Sequence, residues 1–280
     1  VMLYDPPKDP PKIASPEKIQ HLRPVDWKIL KRELADLAVV LKKNGVRVLP
    51  LGSEAFDGFK PNLMFARDLF FMTPRGAVLG RMASTVRAGE EKWAQLALSK
   101  LGIPVIYMIR GRGTFEGADA LWLSPKKVLV GVGNRTNAEG FRQLKEYLAE
   151  SGVAALAVRL PKKVQHLLGL LQIVSPRKAL LRNQISPANL MGILKRAGFQ
   201  VIGVKESDEV VHRQAMNVLT LKPNVVLMPS GCPEFREILL HNRIKVRAEV
   251  PISQLLNAAG GIACTVHPLR RNLLRRRRIR

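Results

Sequence analysis

Leu121-Trp122-Leu123-Ser124-Pro125, leading through two lysines to Val128-Leu129-Val130, reads as a strand, a tight turn and a second strand. Its apolar residues alternate as a half-buried strand requires, and proline suits an early turn position because its ring presets φ. The pattern recurs along the chain. Leu69-Phe70-Phe71-Met72-Thr73-Pro74 leads to Ala77-Val78-Leu79, and Leu171-Gln172-Ile173-Val174-Ser175-Pro176 leads to Ala179-Leu180-Leu181. Leu219-Thr220-Leu221-Lys222-Pro223 leads to Val225-Val226-Leu227. The four prolines stand 51, 51 and 47 residues apart, and Pro268, after Cys264-Thr265-Val266-His267, follows 45 residues later as a fifth.

A second element lies between the hairpins. Amphipathic stretches run into a glycine or asparagine stop and feed a short apolar segment: Gly45 before Val46-Arg47-Val48, Gly102 before Ile103-Pro104-Val105, Gly152 before Val153, Gly198 before Phe199, and Asn242 before Ile244. Glycine takes the left-handed angle of a helix C-cap at little cost. Ser186-Pro187 reads as a helix start, a cap followed by proline at the first helical position. Helix–strand units interleaved with hairpins predict an α/β fold, a cyclic five-fold array of ββαβ-type repeats. A doubly wound sheet would explain the alternation of helices and strands but not the regular proline hairpins. We expect a single catalytic domain over residues 1–268 and a basic tail over 269–280.

At 280 residues and 46% apolar content the chain can bury a full core. Its apolar runs are broken by charge too often to span a bilayer, and the start lacks a basic segment followed by an apolar one. Cys232 and Cys264 offer no disulfide framework, which suits a reducing compartment, so the expected location is the cytoplasm. Net charge is +24, and Arg270, Arg271, Arg275, Arg276, Arg277, Arg278 and Arg280 crowd the last eleven residues. Such a surface attracts polyanions, nucleic acid included, in a salt-sensitive and non-specific way. No zinc-finger spacing or aromatic RNA-binding signature accompanies it. The sequence leaves the oligomeric state open.

Reactive side chains fall at matching places in the repeat. Asp68 and Asp119 each lie six residues before their hairpin proline, Glu116 nine, His166 ten and Cys264 four. If the first hairpin strand of each unit lines a central channel, residues remote in sequence converge at one mouth, on a rigid scaffold of the kind that usually carries function. Cys264 follows the diglycine Gly260-Gly261. A cysteine in a globular core is usually a small buried hydrophobe, so its company carries the argument. Asn217, at the strand start of the fourth unit, reads as structural.

Taken together, Asn62-Leu63-Met64-Phe65-Ala66-Arg67-Asp68, Phe115-Glu116-Gly117-Ala118-Asp119, Asn134-Arg135-Thr136-Asn137, His166-Leu167 and Gly260-Gly261-Ile262-Ala263-Cys264-Thr265 resemble the guanidine-modifying (pentein, or amidinotransferase-fold) superfamily. Within it the chain is most similar to the dimethylarginine dimethylaminohydrolase and arginine deiminase branch. The resemblance implies a β/α-propeller of five repeats. It also implies Cys264 as nucleophile, His166 as general acid/base and Glu116 as the carboxylate that pairs with both substrate and His166. Asp68 would hold a guanidinium, and Arg87 and Arg135 would bind the substrate's carboxylate. Asp119 is grouped with the substrate-binding residues, though its place favours bonding to buried backbone over contact with substrate. The implied partner is a small guanidino compound, and neither metal nor organic cofactor is required.

These residue types suit the chemistry. Resonance makes a guanidinium carbon a poor electrophile, so a thiolate, whose pKa a neighbouring cation lowers, is a fitting nucleophile. Paired carboxylates can fix the planar cation by twin N–H bonds. One departure bears on specificity: the acidic residue that arginine deiminases carry two positions after the histidine is Leu168 here, which suits an N-alkylated guanidine. Two other readings use the same sequence. Transfer of the amidino group to an amine needs the same cysteine, histidine and acid, and a catalytically silent basic propeller could bind RNA.

Overall fold

The computed structural model describes residues 1–52 and 59–270 of the chain. The arginines from Arg271 onward, and with them most of the expected tail, lie outside the described residues. In chain order the elements are β1 (Met2–Asp5), α1 (Trp27–Lys43), β2 (Leu49–Gly52), β3 (Phe70–Thr73), β4 (Gly76–Leu79), α2 (Glu91–Lys100) and β5 (Val105–Met108). Then follow β6 (Ala120–Ser124), β7 (Lys127–Val132), α3 (Ala138–Glu150), β8 (Ala154–Arg159), β9 (Leu171–Ser175), β10 (Lys178–Arg182), α4 (Ala188–Arg196) and β11 (Gln200–Val204). The remainder comprises α5 (Asp208–Val211), β12 (Leu219–Lys222), β13 (Val225–Pro229), α6 (Pro233–His241), β14 (Lys245–Val250), α7 (Ser253–Asn257), α8 (Ile262–Thr265) and β15 (Val266–His267).

Each of the four proline hairpins forms as the sequence predicts. β3 pairs antiparallel with β4, β6 with β7, β9 with β10 and β12 with β13. A helix then crosses over, and the following strand lies parallel to the second hairpin strand, giving three-stranded sheets β3-β4-β5, β6-β7-β8, β9-β10-β11 and β12-β13-β14. The fifth sheet, β15-β1-β2, departs from the expected hairpin across Pro268. β15 pairs antiparallel with β1 (Met2↔His267, Leu3↔Val266), and β1 runs parallel to β2. The two ends of the chain thus supply the two halves of one hairpin, and the array is a five-fold pseudosymmetric β/α-propeller.

Other boundaries shift for local reasons. β2 begins at Leu49 rather than Val46, because Leu49 is the residue in register with Met2. Ser186 does not cap α4: its hydroxyl donates to the Arg182 carbonyl at 2.6 Å, and the helix starts at Ala188. The glycine stops hold, with Gly102 and Gly152 at φ 67° and 66°, and in the fifth helix Arg243 takes the left-handed place at φ 57°. α1 buries Leu30, Leu34, Leu37 and Leu41, a helical stripe at three- and four-residue spacing, toward the core. Among the described residues no helix is long and apolar enough to cross a membrane.

What positions the site is a ring of short turns, each placed before the first strand of its unit. They are the 3₁₀ turns 66–68, 117–119 and 167–169, and the single-turn helix α8 before β15. α8 packs on 66–68, 66–68 on 117–119, and 117–119 on 167–169. The residues singled out by the sequence thus sit in or beside these turns rather than in the strands themselves.

Candidate active site

Glu116 is wholly buried at the entrance to turn 117–119, and His166 stands just before turn 167–169. The His166 Nε2 lies 2.7 Å from Glu116 Oε2, and since a carboxylate only accepts, the imidazole N–H donates. Its other nitrogen, Nδ1, is 3.9 Å from Asp68 Oδ1. Burial would favour the neutral imidazole, but Asp68, Glu116 and Asp119 outweigh it and hold the His166 pKa above its ordinary value. Burial also opposes the Glu116 charge, yet the His166 hydrogen bond and the nearby Arg87 and Arg135 push its pKa down.

Cys264 sits in α8, half-buried between two apolar clusters, one including Phe65, Leu255 and Ile262, the other Leu167, Leu168 and Ala263. Desolvation raises its thiol pKa to about 11, Asp68 adds to the rise, and Asn217, the Gly261 backbone and Arg67 work against it. Burial and Asp68 therefore both favour the neutral thiol over the thiolate. The diglycine explains how α8 comes so close. A Cβ on Gly260 would fall 2.1 Å from the Phe65 ring, and one on Gly261 would fall 2.7 Å from the Asn217 side chain. Asn217, read from the sequence as structural, donates from Nδ2 to Cys264 Sγ at 3.1 Å and accepts at Oδ1 from the Ala263 N–H at 2.7 Å. The signal that could have singled it out was its offset: like Asp68, it stands six residues before its hairpin proline.

The arginines separate. Arg87, expected at a substrate carboxylate, is 3% exposed and committed to the protein's own acids. Its Nη1 is 2.6 Å from Asp68 Oδ2 and 3.7 Å from Glu116 Oε2, and its Nε donates to Glu90 Oε2 at 2.9 Å. A buried guanidinium needs such company, because its charge loses hydration there. Glu90, also missed by sequence reading, is fully buried, and burial raises its pKa to about 7 against the pull of Arg87. Arg135 is the more accessible of the two arginines. Its Nη2 donates to Gln20 Oε1 at 3.1 Å, while Nη1 lies 3.7 Å from Glu116 Oε1 without a hydrogen bond.

Asp119 is wholly buried and bonded within the protein. Thr136 Oγ1 donates to its Oδ2 at 2.7 Å and the Leu167 N–H to its Oδ1 at 2.9 Å, so both oxygens serve to pin the turn beside His166. His267 faces away from Cys264, stacked on Phe70 at 3.6 Å between ring centroids. Asn137 caps α3, accepting from the Gly140 N–H at 2.8 Å. Asp68, Glu116 and His166 bring one possible metal-ligand atom each within 4.8 Å of one another. Arg87 already supplies positive charge to both of those carboxylates, which fits a site for an organic cation better than one for a metal ion.

Comparison with known proteins bears on the fold and on the relatives of the chain. Residues 60–191 match the family model for arginine deiminase. The chain is 26% identical over 204 residues to the N(G),N(G)-dimethylarginine dimethylaminohydrolase of Pseudomonas aeruginosa, covering 73% of this chain and 75% of that one. It is 26% identical over 233 residues to the uncharacterized protein YkgA of Bacillus subtilis, covering 83% and 77%. Arginine deiminase of Listeria monocytogenes is 28% identical over 260 residues, with 77% of this chain and 62% of that one covered. Among solved structures, a dimethylarginine dimethylaminohydrolase adduct superposes with TM-score 0.74 at 24% identity, over 94% of this chain and 96% of that one. The N-terminal domain of ArgZ, an arginine dihydrolase from cyanobacteria, superposes with TM-score 0.78 at 17% identity, over 96% and 97%. The chain shares the five-fold propeller fold of these structures, and its sequence is similar to dimethylarginine dimethylaminohydrolase and arginine deiminase.

Proposed function

We propose that this protein hydrolyses a C–N bond of an arginine-type or N-methylated arginine-type guanidine through a covalent intermediate on Cys264. One observation carries the reading. Four turns from different units bring Asp68, Glu116, His166 and Cys264 to one mouth, with His166 already held at 2.7 Å by Glu116.

In this reading the substrate cation lies against Asp68 and Glu116 and over the sulfur. Its charge replaces the water that the thiol lacks, and the thiol proton leaves to solvent. Sulfur attacks the guanidinium carbon, forming the C–S bond. As the C–N bond breaks, the imidazolium of His166 gives its proton to the departing amine or ammonia, a step typically worth about 10²–10⁴-fold. A thiouronium remains on Cys264. His166, now neutral, takes a proton from water, the hydroxyl adds to carbon, the C–S bond breaks, and a citrulline-type urea is released. Arg135 is the arginine placed to meet a substrate carboxylate, while Arg87 holds Asp68 in place. Leu168, buried beside Leu167 in the apolar cluster that Cys264 touches, supports an N-alkylated guanidine. The catalytic domain spans residues 1–268 in this reading, and the basic exterior adds a salt-sensitive attraction for polyanions.

Mass spectrometry of the protein quenched during turnover tests the proposal. Arginine, methylated arginines, agmatine and guanidino acids would be tried with and without an amine acceptor. An adduct on the Cys264 peptide and a urea product support hydrolysis. Consumption of the acceptor would replace it with amidino transfer, and absence of adduct and turnover across the panel would sink it.

A further inference from the structure

Asn217 is the fourth unit's contribution to the ring, and its position differs in kind from those of the charged residues. It is 5% exposed and touches no carboxylate among the contacts above; both ends of its amide go to the turn that carries the nucleophile. The orientation of that amide is fixed by chemistry. The Ala263 backbone N–H can only donate, so the atom facing it is Oδ1, and Nδ2 is what remains for Sγ. A donor directed at sulfur is a weak partner for a neutral thiol and a strong one for a thiolate, because a charged acceptor roughly doubles such a bond. Gly261 permits the arrangement, since any Cβ there would collide with the Asn217 side chain.

We propose that Asn217 is a further catalytic residue of this site: its Nδ2–H holds the Cys264 thiolate, while its Oδ1 ties the sulfur's own turn to the fourth unit. The role rests on Cys264 being the nucleophile. Two groups set the charge around the sulfur, Asp68 opposing the thiolate and Arg67 favouring it. Asn217 acts where burial and Asp68 are both unfavourable to negative sulfur. It stabilises the anion without bringing in a cation that would compete with the substrate.

The test is the pH dependence of Cys264 alkylation by chloroacetamidine in the full chain, with peptide mapping to separate Cys264 from the buried Cys232. It is run on the wild type, Asn217→Ala and Asn217→Asp. The alanine variant loses the donor, and alkylation at pH 8 should slow about tenfold or more, with its midpoint moved up. Asn217→Asp keeps the size and the acceptor for Ala263 N–H but turns an anionic oxygen to the sulfur, so it should be slower still. In turnover, kcat should fall in both while KM stays within about twofold. A purely structural Asn217 predicts the reverse ranking, with the near-isosteric aspartate close to the wild type. Equal midpoints in wild type and Asn217→Asp, or a faster aspartate variant, overturn the proposal. A wild-type Cys264 that does not alkylate at any pH overturns the nucleophile assignment itself, so the two failures read differently.

Discussion

The ring has a charged arc and a neutral arc, and they are built on opposite principles. In the arc of the first three units, Asp68, Glu116 and His166 face Arg87 and Arg135, and every charge is already met by another of the protein's own. In the arc of the last two, Asn217 and Cys264 meet through a single amide, and the thiol sits against apolar side chains with its pKa raised to about 11. The charged arc is arranged before any substrate arrives. In the proposed reaction the neutral arc acquires its charge only when the substrate cation comes to rest beside it. A chain that kept a permanent thiolate would have to hold it near Asp68 in a dry site, where like charges repel strongly. Dividing the labour spares the protein that cost.

Changes in the neutral arc should strike chemistry and leave folding nearly alone. Cys264→Ser is expected to reduce turnover by roughly 10⁴-fold or more, while thermal unfolding stays close to wild type. A serine variant that turned over at a tenth of the normal rate would remove the nucleophile from its assigned place. His166→Ala, on the charged side, should cost about 10²–10⁴-fold in kcat. Steady-state rates at several pH values, compared with rates rescued by added imidazole, separate lost proton transfer from lost shape.

Asp68→Asn should act on both fold and function, because it leaves the buried Arg87 short of a partner 2.6 Å away. The loss of stability should be about 3 kcal/mol, read from denaturant midpoints, together with a raised KM. Gly260→Ala tests the approach of α8. The added methyl must displace the Phe65 ring, at a cost of about 1–3 kcal/mol by calorimetry. If that variant unfolds like the wild type, the close approach does not depend on the diglycine.

The smallest effect concerns pH. The His166 pKa is raised on folding, so the stability it adds is complete below its unfolded value of about 6.5 and is lost as pH climbs through the folded one. The Glu116 pKa is lowered, so its share is complete above about 4.3 and is lost as pH falls through the folded value. The melting temperature of wild type minus that of His166→Gln should therefore be largest between about pH 4.3 and 6.5. A difference that kept growing above neutrality would contradict the raised histidine.

Much of this was legible in the sequence, and for identifiable reasons. Proline hairpins and glycine stops are local, so four of five sheets could be read from spacing. The fifth could not, because Met2–Asp5 and Val266–His267 share no turn and the pairing has no local signature. Cys264, His166 and Glu116 stood out by residue type. Asn217 did not, since an asparagine at a strand start is commonplace and only the 3.1 Å contact with sulfur gives it meaning. Arg87 and Glu90 were illegible in a different way. Which acids an arginine meets depends on packing between units, and nothing in the linear order of residues 84–90 says that Asp68 lies beside it.

The split fifth sheet sets the order in which this molecule can come to life. During synthesis β1 emerges some 260 positions ahead of its antiparallel partner β15. Until then the sheet holding the nucleophile's turn lacks one edge, and the Cys264 turn has no ring to close. Catalysis should therefore switch on only once Val266 and His267 have left the ribosome, and a nascent chain stalled short of Val266 should be folded in four blades and silent.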